Sequence, residues 1–327
     1  MVLSNFKAIK TIAPKRYCGN NDIIKVILPN TVTSIGDEAF RDCQYLDSVS
    51  IPNSVTHIGN RAFRGCHRLT KVNIPNSVTS IGHGAFNGCL CLTNIDIPNS
   101  VTSMGNDVFN NCDSLTNVSI PSSVDYIGDR SFLFCSRLKK VTIPNSVTSI
   151  GTWAFGDCMN LVNVIIPNSV KRIDLAAFEG SGLTKLVIPN SVTFIGDEAF
   201  QRCRELVSVV IPDSISNIED GTFCECSSLT TVEIPASVNR IGRDAFYGCS
   251  SLVSMNIPDS VTSIGDNAFM RCSSLQHITF EDMVEMSDDA DILRGCTALK
   301  AINVPRKYLE YYDKKLSREL QWKLIAY

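Results

Sequence analysis

The chain has 327 residues, 44% of them hydrophobic, and its 30 basic residues nearly balance 33 acidic ones, leaving a net charge of −3. That content is enough for a continuous core, while the balance argues against nucleic acid as a partner, because phosphate binding needs a concentrated basic surface. No run of about 18 apolar residues could span a bilayer, and the start, Met1-Val2-Leu3-Ser4-Asn5-Phe6-Lys7, lacks the apolar stretch of a secretory leader. Neither membrane insertion nor export by that route is expected.

Residues 1–22 read as an N-terminal cap, with Phe6, Ile9 and Ile12 covering the first coil. From Ile23 the chain keeps a beat of 23 residues. Prolines fall at Pro29, Pro52, Pro75 and onward to Pro258, and phenylalanines at Phe40, Phe63, Phe86 and onward to Phe269. Cysteines keep the same spacing from Cys43 to Cys158 and again from Cys203 to Cys272. The proline and phenylalanine series each contain one 22-residue step, and the cysteines skip one coil, where Ser181-Gly182 replaces a full loop. Self-similarity at a fixed period of this kind marks a solenoid.

One unit, Leu69 to Cys91, reads LTKVNIPNSVTSIGHGAFNGCLC. Leu69, Val72 and Ile74 give a short strand with one buried face. Pro75 ends it, since proline cannot donate to a ladder. Val78 and Ile81 make a second inward pair, Gly82 permits an unusual turn, and Ala85-Phe86 send a large ring inward beside a small residue. Cys89 closes the coil as a small buried hydrophobe able to meet a loop carbonyl. No coil can bury its apolar set alone, so about twelve coils over residues 23–305 must stack into a single column.

The cysteine spacing fits neither an irregular disulfide framework nor the close pairs of a metal site. Parallel strands lie about 4.8 Å apart, wider than the roughly 3.8 Å between Cβ atoms that a disulfide wants. The column thiols are therefore expected to be free and buried, which suits a reducing compartment.

After Cys272 the beat decays. Glu281 stands where proline is due, and Ile292, Cys296, Leu299, Ile302, Val304 and Pro305 make a last, degraded coil. Then Tyr308, Tyr312, Leu316, Leu320 and Leu324 recur every four residues, predicting an amphipathic helix over 306–327. It reads as a C-terminal cap, with a partner-docking helix as the alternative.

The unit resembles the BspA-like family of leucine-rich repeats, through Ile74-Pro75-Asn76-Ser77-Val78-Thr79-Ser80-Ile81-Gly82, Ala85-Phe86 and Cys89, repeated from Ile23 to about Cys272. Members of that family include surface proteins of bacteria and protists and proteins of large DNA viruses. The resemblance implies a curved right-handed solenoid of short parallel strands and a role in adhesion or protein binding, with cell-surface placement allowed. It brings no catalytic residue.

A search for chemistry returns none. The four histidines, His57, His67, His83 and His277, occupy four different slots of the repeat, so no two share a column. The Cys89/Cys91 and Cys224/Cys226 pairs each give one thiol to the buried column. The acidic stretch Asp288-Asp289-Ala290-Asp291 lacks a calcium-loop pattern and reads as a solvated loop. No catalytic, cofactor-binding or metal residue is assigned.

What stands out is where outward slots break their column. The second outward strand slot is polar in most coils but holds Ile165, Val187 and Val210 in three consecutive ones, extended by Val162 and Val207 at the strand starts. On another side, Leu133-Phe134 replace residues such as Arg64-Gly65, Trp153 stands where others have Glu38, Arg61 or Arg130, and the following coil has Leu175. Tyr126 and Phe194 sit in a slot that is mostly serine. Contiguous apolar surface and aromatic anchors mark interfaces. The plainer explanations are strand propensity for the valines and mutual packing for the aromatics. The expected function is a non-catalytic protein-binding or adhesion module for a protein partner, the alternative being a structural subunit built permanently into a larger assembly.

Overall fold

The structure, a computed structural model, describes residues 2–3, 9–286 and 291–327. The chain falls into two compact units, 1–169 and 170–327. Both are built from parallel-strand solenoid coils, about fourteen turns in all among the described residues rather than the twelve expected.

Each coil contributes up to two strands. In the first unit, Val2–Leu3, Lys25–Ile27, Ser48–Ser50 and Lys71–Asn73 form one sheet, and Asn94–Asp96, Asn117–Ser119 and Lys140–Thr142 a second. Two-residue strands such as Ser34–Ile35, His57–Ile58 and Ser80–Ile81 build the opposite side. All pairings are parallel, and the register is the repeat itself: Val26 faces Val49, and Val49 faces Val72. The centre residue of each three-residue strand of the first unit is buried and its neighbours face out, as period-two alternation requires.

The rest of the coil is also ladder-bonded. The N–H groups of Glu38, Phe40 and Asp42 donate to carbonyls of Asn60, Ala62 and Arg64 at 2.8, 2.8 and 2.6 Å, one coil on. The intervening N–H groups of Ala39, Arg41 and Cys43 bond three residues back within their own coil. This alternation needs a left-handed backbone at two positions per coil, with φ of 56° at Glu38 and 57° at Asp42. Gly84 and Gly88 occupy those positions in one coil, where glycine adopts the conformation without steric cost. A different constraint acts at Gly82: a Cβ there would lie 2.5 Å from the backbone nitrogen of Asn60, so adjacent coils could not approach.

Inside, the phenylalanine column is stacked. In the first unit the centroid of Phe40 lies 5.4 Å from Phe63, and Phe86 lies 5.5 and 5.6 Å from Phe63 and Phe109, with rings within 7° of parallel. Phe200 and Phe223 stack at 5.7 Å in the second unit. Such pairs add about 0.5–1.5 kcal/mol each to the stability from burial. All cysteines are free, as the ladder geometry requires. The column thiols donate to phenylalanine carbonyls one coil back, Cys89 to Phe63 at 3.4 Å and Cys112 to Phe86 at 3.3 Å.

Three features depart from the sequence reading. First, residues 11–23 are a coil and not merely a cover: Thr11–Ile12 pairs in register with Ser34–Ile35, and Tyr17 stacks on Phe40 at 5.3 Å. Tyr17 thus begins the aromatic column, while the Phe6 side chain lies outside the described residues. Second, the expected strand around Val164 does not form, and Val164 is only half-buried where its counterparts are buried. Third, the C-terminal segment is not one helix. Arg306–Tyr308 is a 3-10 turn, Leu309–Lys315 and Arg318–Gln321 are short helices, and Leu324–Ala326 is a strand pairing with Ala301–Val304. The helix stops because Leu316 and Ser317 take extended ψ angles of 146° and 151°. Tyr312, Leu316 and Leu320 are still buried, and the Tyr312 hydroxyl donates to the Asp282 carbonyl at 2.8 Å.

Candidate interaction surface

Most coils bury the same set of slots, so the residues that most distinguish one coil from another are on the outside. In the second unit, Lys185–Val187, Ser208–Val210 and Thr231–Val232 form a sheet. Register places Val187 against Val210. Both side chains point away from the core, 65% and 57% exposed, and Val207, just before the strand, is exposed as well. Leu186 and Val209 between them are buried. The outer side of the sheet therefore carries two adjacent apolar residues beside polar Lys185, Ser208 and Thr231, which strand alternation alone does not call for.

Val162 and Ile165 belong to the first unit. Ile165 is 85% exposed, the most exposed large apolar side chain among the described residues, and sits in the segment that forms no strand.

The turn-side residues divide differently from the expectation. Leu133 is buried and so is no exposed anchor. Trp153 is half-buried, and a Cβ on Gly156 would lie 2.6 Å from its ring and 2.8 Å from Leu133. Gly156 thus leaves the space in which Trp153 and Leu133 pack, the plainer of the two explanations. Leu175 is exposed but lies one position before the Trp153 slot; Ala176 fills that slot with the same left-handed backbone, φ 52° against 57°. Phe194 lies under the Arg172 guanidinium, 4.1 Å from ring centroid to Cζ.

Phe134 is the exception. It is half exposed with a φ of 60°, in the column where Gly65, Gly88 and Asn111 stand. A left-handed backbone costs a side-chain-bearing residue roughly 1–2 kcal/mol, and an aromatic facing water recovers little of it. Local stability thus disfavours phenylalanine here. The sequence showed the unusual residue but not the strain, which only the backbone angle reveals.

Groups with reactive potential are otherwise satisfied. Burial pushes the Cys135 thiol up to about 12 and Cys43 to about 11, holding both protonated and unreactive at neutral pH. Cys224, buried and beside Gln201, is likewise raised to about 11, by burial. Cys18 and Cys91 are exposed. Glu179, nearly fully buried in the short coil, pairs with Arg202 at 2.6 Å, and Ser181, standing in the cysteine slot, meets the Cys203 thiol at 3.2 Å. Among the described residues no His, Cys, Asp and Glu group is arranged to hold a metal, and no helix is long and apolar enough to cross a membrane. Asp291 pairs with Arg294 at 3.1 Å; residues 288–290 lie outside the described residues.

The family model of the BspA type leucine-rich repeat region matches residues 10–138, 79–207, 126–241 and 193–318. No curated protein is significantly similar. Among solved structures, a leucine-rich repeat protein from Bacteroides ovatus is 29% identical over 100% of this chain and 92% of its own, with a TM-score of 0.80. A leucine-rich cell surface protein from Faecalibacterium prausnitzii is 24% identical over 99% of this chain and 90% of its own (TM-score 0.51). The pneumococcal vaccine antigen PcpA is 19% identical over 99% of this chain and 77% of its own (TM-score 0.52). The last two share the fold alone. With family matches running from residue 10 to residue 318 over coils whose thiols, rings and strands repeat in one register, the chain belongs to the BspA type leucine-rich repeat family.

Proposed function

We propose that the chain is a non-catalytic module that binds another protein through its outer faces, with Val187, Val207 and Val210 as the anchor patch of the second unit. Phe134, and Ile165 with Val162, are anchors presented by the first. Trp153 and Leu133 pack together in the space that Gly156 leaves and are not assigned as anchors, and Leu175 is an exposed apolar residue of the second unit. The observation that carries this reading is the in-register pair Val187 and Val210, both more than half exposed on a formed sheet. Exposed apolar groups contribute little to folding while solvated, whereas interface anchors lose about 2 kcal/mol or more of binding on truncation, roughly thirtyfold in affinity. The cell-surface protein among the structures of similar fold is consistent with adhesion. The test is affinity capture from native extract with the wild-type chain and with Val187→Asn/Val210→Asn. The variant should fold normally and lose a partner that the wild type retains; retention of every partner overturns the assignment.

One observation favours a second reading, a subunit of a permanent assembly. The Leu324–Ala326 strand leaves Ile325, Trp322 and Tyr327 half or more exposed at the sheet edge. Obligate self-association in size-exclusion chromatography would favour that reading over a reversible binder.

A further inference from the structure

The valine patch ends in a groove of about 400 Å³ lined by Ser208, Val210, Asp213, Thr231, Glu233 and Pro235. Strand pairing explains the opening. Ser208 faces Thr231 and Val209 faces Val232, but the ladder stops there, one residue short of Val210 and Glu233. The two side chains are therefore not held edge to edge, as Val187 and Val210 are.

The groove's rim carries two departures from the repeat. Glu233 occupies a slot held mostly by neutral residues (Ser50, Asn73, Ser119, Thr142) and once by Asp96. Asp213 occupies a slot that is mostly asparagine (Asn53, Asn76, Asn190) and once Asp259; only in this coil pair do both acids fall beside the exposed valines. Both carboxylates are exposed, and among the described residues neither meets a cation. Elsewhere some half-buried carboxylates do find a cation, as Asp107 does in Arg130 and Glu225 in Arg204. At the opposite corner of the patch stands Lys185, also exposed.

Resting on the reading of Val187, Val207 and Val210 as anchors, we propose that this surface takes an extended protein segment carrying apolar side chains followed by a lysine or arginine. The apolar part lies over Val187 and Val210, and the cation reaches into the groove between Glu233 and Asp213. Two complementarities support one occupant. Burying the valines without supplying a cation would strip water from two unpaired carboxylates, which is unfavourable. A basic group over those carboxylates forms charge-assisted hydrogen bonds in a half-enclosed site. Lys185 sets the direction, because it repels a cation at the far end and so aligns the segment with its basic end toward Glu233.

The probe is a random peptide display library, selected on the full chain and counter-selected on Val187→Asn/Val210→Asn. Surviving peptides should combine valine, leucine or isoleucine with a lysine or arginine. Their affinity should fall about tenfold or more on Glu233→Gln/Asp213→Asn, and by a similar factor when the peptide cation is replaced by glutamine. Survivors that are apolar but show no preference for a cation overturn this inference and leave the valine anchors standing. An empty selection overturns it together with the anchors as a peptide site. Basic peptides that bind the Val187→Asn/Val210→Asn variant as well as wild type show plain surface electrostatics, which also overturns it.

Discussion

The thiol of Cys66 donates to the carbonyl of Phe40, 26 residues earlier and one coil back, at 3.2 Å. The bond ties the closing corner of one coil to the aromatic column of the previous one, and its repetition from Cys43 to Cys296 makes the thiols part of the frame.

Alkali should therefore destabilise the protein more than a thiol-free repeat. A native column thiol keeps its proton to about pH 11 at Cys43 and about pH 12 at Cys135, whereas an unfolded thiol loses it near about pH 8.5. Between those values the unfolded state binds fewer protons, so stability falls as pH rises, by about 1.4 kcal/mol per pH unit for each buried thiol. Below about pH 8 the contribution is complete. Urea midpoints taken at rising alkaline pH should drop, with a shallower slope in Cys112→Ala; a flat profile contradicts the buried thiol column.

In the native state only Cys18 and Cys91 should react quickly with an alkylating reagent at neutral pH. Peptide mapping after a brief pulse, without denaturant, checks this. Rapid labelling of Cys89 or Cys135 would mean that the coils open on the timescale of the pulse.

Phe86→Ala removes a ring stacked on both sides and should cost about 3–5 kcal/mol through the cavity left behind. Coupling in a solenoid is between nearest neighbours, so the thermal transition should broaden or split. A single transition with an unchanged midpoint would contradict the inward stack.

Phe134→Asn should raise the melting temperature, because asparagine tolerates a left-handed backbone far better than phenylalanine. The expected gain is up to about 1–2 kcal/mol. If Phe134 is an anchor, the same substitution weakens partner capture, so stability and binding move in opposite directions. A destabilised Phe134→Asn would show that the ring has native contacts that offset its backbone strain.

Removing residues 306–327 should bare the Ala301–Val304 strand edge and the Phe280 ring that Tyr312 packs against. Light scattering should then report association, since an open edge invites pairing. A monomeric truncation of unchanged stability would show that this segment is no cap.

Periodicity made the inner columns legible, because each Phe, Cys and Ile slot is fixed by the same neighbours in every coil. What depended on particular neighbours was not. Tyr17 lies 23 residues before Phe40 and Ile12 23 before Ile35, yet without a leading proline the first coil reads as a cap. Leu324 continues an i, i+4 series and so looks helical, but its strand is set by Ala301–Val304, a pairing no local pattern encodes. Residues 161–166 carry the strand pattern without forming a strand, since pairing belongs to two coils and not to one. Leu133 looked like surface because what covers it, Trp153 over Gly156, lies a coil later. The apolar run at Val187 and Val210 was visible, whereas the strain at Phe134 required a backbone angle.

The register that pairs residue i with residue i+23 leaves chain length unconstrained. Excising residues 70–92 would join Leu69 to Thr93 and bring Asp47 to where Thr93 repeats the role of Thr70, with every ladder bond replaced by one of the same kind. Gene duplication or unequal exchange can thus add or drop whole coils while keeping the backbone ladder and the inner columns, only the side-chain pairs at the junction changing. Reach between distant surface groups becomes an inherited variable, tuned in quanta of one coil, while the chemistry of each exposed patch travels unchanged with its own residues.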